Sequence, residues 1–74
     1  MQLDGIAEGV RVKITKLGDT SGWSVPRENL ANRQVGVVGT IHDFVPGHGG
    51  DVWWVWHDEG GLAPYRYDEF EPAA

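Results

Sequence analysis

Eleven glycines and four prolines are spread through a chain of 74 residues. Punctuation this dense restricts the chain to short extended segments joined by turns. No segment sustains a helical apolar repeat. Alternation picks out the strands instead. In GVRVKITKL, Val10, Val12 and Ile14 alternate with Arg11, Lys13 and Thr15, the period of a half-buried strand. VGVVGTIHDF is the second strand. Its Val38 and Ile41 stand three apart, so a bulge at Gly39 is expected to turn both inward. DVWWVWH is the third strand, and the Gly60-Gly61 pair in HDEGG marks a hairpin turn. LAPYRY gives a fourth strand, which Pro64 places at an edge or a bulge. DEFEP supplies the last strand, with Phe70 as the final core residue.

Between the first two strands lies GDTSGWSVPRENLANRQ, too rich in Gly, Ser, Asp and Pro for a regular strand. One helical turn is expected in SVPRENLAN, with Ser24 as its cap and Pro26 near its start. A loop of this length in so small a domain points to function. Five short strands, a long first loop and tight late hairpins predict an all-β chain closed into a small barrel, because closure removes exposed sheet edges. The expectation is one domain over residues 1–74, its core spanning about residues 8–72.

Charge and composition exclude several classes. The formal net charge is −5, and the six basic residues are scattered without a cluster. Nucleic-acid backbones are bound by neutralising phosphates, so this balance argues against a nucleic-acid partner. It suits a protein or peptide partner with a basic surface. The chain has no cysteine, hence no disulfide and no thiolate metal site. No apolar run approaches membrane-spanning length, and MQLDGIAEGV lacks the features of a signal peptide. A cytoplasmic protein with no membrane partner is expected.

Three groups of residues resemble the Mind bomb/HERC-type domain found in ubiquitin ligases. These are Gly9-Val10-Arg11-Val12, then Val35-Gly36-Val37-Val38-Gly39-Thr40-Ile41, then Val55-Trp56-His57-Asp58-Glu59-Gly60 with Tyr65-Arg66. In that register His57 stands where the family has a tryptophan, and Gly18-Asp19 with Trp23 is a loose counterpart of the family's first-loop segment. The likeness implies an SH3-like barrel (Src-homology-3-like) that binds peptide or protein segments and has no catalytic centre. A broader likeness, carried by Asp68-Glu69-Phe70-Glu71, is to barrel-type accessory subunits of photosynthetic and redox complexes.

The third strand carries three tryptophans in four residues. Val52, Trp54 and Trp56 share one face, and Trp53, Val55 and His57 share the other. The family register turns the second set inward. Trp54 and Trp56 then point out, roughly 7 Å apart by the strand rise. Each indole carries about 150–250 Å² of surface. Two together approach the largest apolar patch usual on a soluble monomer, roughly 300–600 Å². Either the first loop folds back over them through Trp23 or Leu30, or a partner covers them. Tryptophan is also enriched where a single interface residue contributes about 2 kcal/mol or more. Trp54 and Trp56 are therefore the first candidates for partner binding, with Trp23 and Tyr65 at the rim.

Other chemistry is less well supported. His42, His48 and His57 with nearby carboxylates supply enough metal ligands in number, but their spacing matches no metal motif. They read as surface histidines, with His57 at the core edge; no metal and no cofactor is expected. Ser21 and Ser24 lack a nucleophile elbow, and GHGGD lacks the Lys-Ser/Thr of a phosphate loop. Asp68, Glu69 and Glu71 read as a solvated acidic edge that can steer a basic partner. The chain thus reads as a non-enzymatic binding module, an adaptor or accessory subunit. The alternative is a small acidic inhibitor of the phage or mobile-element type. A single-strand nucleic-acid binder stacking bases on the tryptophans and a metal-dependent enzyme are the further rivals. Self-pairing of the tryptophan strand into a homodimer is compatible with all of this.

Overall fold

Alternation becomes a strand wherever one face can be buried, and β1 (Arg11–Ile14) shows it plainly: Val12 and Ile14 are fully buried, Arg11 and Lys13 exposed. The computed structural model describes residues 1–73. In it β1 is followed by a long loop carrying the short helix α1 (Arg27–Ala31), then by β2 (Val38–Phe44), β3 (Val52–His57), β4 (Leu62–Arg66) and β5 (Phe70–Pro72). Single 3-10 turns occupy Leu3–Gly5 and Tyr67–Glu69. The strands form one sheet in the order β4-β3-β2-β1-β5, with every pairing antiparallel. The result is a small all-β, SH3-like barrel with a long first loop.

The core gathers Ile6, Val12, Ile14, Ile41, Val55, Ala63, Tyr65 and Phe70. It reaches back to Ile6, with Met1 packed against it, ahead of the expected start near residue 8. Trp53 lies against this core and donates its indole N–H to the Gly50 carbonyl at 2.9 Å.

Three local expectations change. The bulge falls at His42, not at Gly39: β2 pairs Ile41 with Val55 and Asp43 with Trp54, which leaves His42 as the extra residue. Gly39 serves a close approach instead. A Cβ built there collides with the Trp56 carbonyl and comes within 2.8 Å of Val55 Cγ1. Gly39 and Ile41 face inward, and Val38 is only half-buried. Pro26, not Ser24, occupies the helix N-cap, and no side chain caps α1. Val52, placed by alternation beside Trp54 and Trp56, is buried at the mouth of the β2–β3 hairpin, where its carbonyl accepts the Val45 N–H at 2.8 Å.

Pro64 does lie in an edge strand, since β4 ends the sheet. The backbones of Leu62, Pro64 and Arg66 face away from β3 there, and part of this edge is occupied. The Leu62 carbonyl accepts the side-chain amides of Asn29 and Asn32 at 2.9 and 3.2 Å. Pro64 has no N–H to offer. The Arg66 N–H donates to Glu69 Oε1 at 2.7 Å. The edge thus offers few groups to a further strand.

Candidate functional site: the outer face of β3

The pleat of β3 turns Trp54 and Trp56 to the outside of the barrel. Trp56 is 49 % exposed. Its cross-strand neighbours are Thr40 on β2 and Leu62 on β4. The bulged His42 meets it edge-on, with ring centroids 6.2 Å apart. Trp54 sits between Asp43 and Pro64 and is half-buried, while Pro64 is fully buried. The two indoles therefore differ in kind. Trp54 belongs partly to the packing around Pro64, whereas Trp56 offers its surface to solvent.

The ends of this face are braced. Arg11 grips Asp58 with both terminal nitrogens, at 2.5 and 2.6 Å, and also donates to Thr40 Oγ1 at 3.0 Å. Those hydrogen bonds hold the Asp58 carboxyl below its ordinary pKa and raise that of Arg11. The brace ties β1, β2 and the β3–β4 turn together around Trp56.

The other two candidates lie elsewhere. Tyr65, expected at the rim, is a core residue with no exposed surface. It pairs with Trp53 on the inward side of the sheet. Its hydroxyl accepts the Gln34 N–H at 3.0 Å and lies 2.8 Å from His57 Nε2. The buried hydroxyl has two hydrogen-bond partners, and only His57 Nε2 can accept its hydrogen, so satisfying the phenol assigns the histidine ring hydrogen to Nδ1. His57 is half-buried at the core edge, and burial pushes its pKa below the ordinary range. The Tyr65 phenol is pushed up, again chiefly by burial.

Trp23 does not fold over the β3 tryptophans. Its ring meets His48 edge-on at 6.0 Å, and the Arg33 guanidinium lies 4.8 Å from its centroid. Arg33 also stands 5.4 Å from the Tyr65 ring and forms an ion pair with Glu69. Glu69, expected on a solvated acidic edge, is 1 % exposed. It takes hydrogen bonds from Arg33, the Gly18 N–H and the Arg66 N–H. Hydrogen bonding is what a charge needs to be tolerated inside a protein; Glu69 has it, while the buried Arg33 Nε is left without a hydrogen-bond partner among the described residues. Arg33 and Glu69 thus pin both arms of the first loop to the end of β4. Sequence reading missed this pair, whose members stand 36 residues apart with no local signal between them.

The three histidines occupy three separate places: His42 on the outer face, His48 against Trp23 and His57 against Tyr65. Among the described residues no group of three or more His, Asp or Glu side chains could hold a metal ion. Nor is any helix among them long and apolar enough to cross a membrane.

Comparison with known proteins places no relative beside this arrangement. No family model, no curated protein and no solved structure matches the chain.

Proposed function

We propose that this barrel is a non-enzymatic protein-binding module whose contact surface is the outer face of β3, centred on Trp56. The observation that carries the reading is an indole left 49 % exposed in the middle of a sheet, where the first loop had the length to cover it and does not. Large aromatics at such positions anchor interfaces because they bring much area at little conformational cost. His42, Leu62 and Trp54 extend the patch around it. Asp43 lies beside it, in a chain of net charge −5, so the complementary partner is a protein with apolar side chains among basic ones. The partner contributes the activity, and this chain contributes placement, as an accessory subunit or adaptor does.

Trp56→Ser is the clean test, because Trp54→Ser also uncovers the buried Pro64. The Trp56→Ser protein is expected to melt within a few degrees of wild type and to lose the proteins that wild type captures from the native host. Leu17→Ser, elsewhere on the surface, is expected to keep them. A folded Trp56→Ser protein that captures the same set would refute the reading.

A further inference from the structure

A groove of about 630 Å³ opens between the segment following α1 and the β3–β4 turn. That volume lies in the range of sites that take a small ligand or a peptide side chain, about 300–1,000 Å³. Val35, Val37 and Val38 form its apolar part, and Val35 is 59 % exposed. His57, Asp58 and Glu59 also line it.

The charges in this groove have one sign. Its lining includes two carboxylates and no lysine or arginine. Asp58 is already gripped by Arg11, which leaves Glu59 as the carboxylate without an ion pair among the described residues. The His57 Nδ1 hydrogen is not taken by Tyr65, because the phenol occupies Nε2. The groove therefore presents an aliphatic wall, a hydrogen-bond donor and one uncommitted negative charge.

We propose that this groove receives a lysine or arginine side chain, flanked by aliphatic residues, from an extended peptide. The aliphatic stem lies along Val35, Val37 and Val38, the cation meets Glu59, and a peptide carbonyl takes the Nδ1 hydrogen of His57. Long basic side chains bury their stems while keeping the charged end wet, and the mixed lining fits that habit. An acidic peptide of the same shape finds no cation in the groove and is rejected. The site is distinct from the outer face of β3 and does not depend on the reading of Trp56.

The test is an amide NMR titration of the whole chain with acetyl-Val-Lys-Val-amide, with acetyl-Val-Glu-Val-amide as the control. Saturable shifts at Gly36, Val38, His57 and Gly60 are expected with the lysine peptide alone. Glu59→Gln, a change on an exposed turn, is expected to weaken binding about threefold, the size of one exposed ion pair. Four results would overturn the proposal: no shifts, equal shifts with the glutamate peptide, unchanged affinity in Glu59→Gln, or shifts confined to Trp54 and Trp56. The last would leave the tryptophan reading standing.

Discussion

Arg33 and Glu69 show how much one side-chain pair can decide in a barrel of this size. Their side chains are 6 % and 2 % exposed. Taking two charges out of water costs several kcal/mol each, and their mutual hydrogen bonds offset that cost only while both are present. Removing one partner leaves the other charged and stranded. Glu69→Gln is accordingly expected to destabilise the fold by roughly 3–5 kcal/mol, measured by urea denaturation. Replacing both at once, Arg33→Met with Glu69→Leu, is expected to recover most of that loss. A double variant as unstable as the single one would show that the backbone hydrogen bonds to Glu69 matter more than the ion pair. Neither partner was legible in the sequence. A buried carboxylate inside the run Asp68-Glu69-Phe70-Glu71 looks the same as an exposed one until its partner is in place. Alternation set Trp56 on one face with Trp54, and the register implied by the resemblance, not alternation, chose that face as the outer one. Tyr65 was misread because a tyrosine at a strand end suits a rim or a core, and only the tertiary contacts to Gln34 and His57 choose between them.

Elements were easier to read than the joints between them. Period-two alternation and glycine turns located the strands, because those signals act within a few residues. The bulge at His42 was not visible, since a bulge is a relation between two strands and depends on how β2 meets β3. Gly39 was noticed as unusual, yet its reason is the β3 backbone lying against it. Gly39→Ala is therefore expected to cost about 1–3 kcal/mol, the usual penalty for forcing atoms into a filled space. The clash is with backbone, which cannot swing aside as a side-chain end can. Thermal unfolding by circular dichroism measures the loss, and an alanine variant as stable as wild type would mean that β2 and β3 separate at little cost. The same logic applies to α1. Its sequence announced a helical turn but not that Asn29 and Asn32 would occupy part of the free edge of β4.

For the molecule as a whole, His57 makes stability a function of pH, and the sign follows from its surroundings. Burial disfavours its charged ring, so its folded pKa lies below the ordinary 6.5, and its Nε2 lies 2.8 Å from the Tyr65 hydroxyl. Between those two values the unfolded chain binds more protons than the folded one, and stability then rises with pH. The His57 contribution is present in full above about pH 6.5 and is lost as pH falls from there through the depressed folded value. The chain carries two other histidines, so a single stability curve does not isolate His57. A comparison does. His57→Gln keeps an acceptor within reach of Tyr65 but cannot be protonated. Stability measured in urea from pH 7.5 down to pH 5 is expected to fall more steeply in wild type than in His57→Gln. The difference between the curves should open below about pH 6.5, the point at which the unfolded histidine begins to charge. Parallel curves would mean that the folded and unfolded histidine bind protons alike.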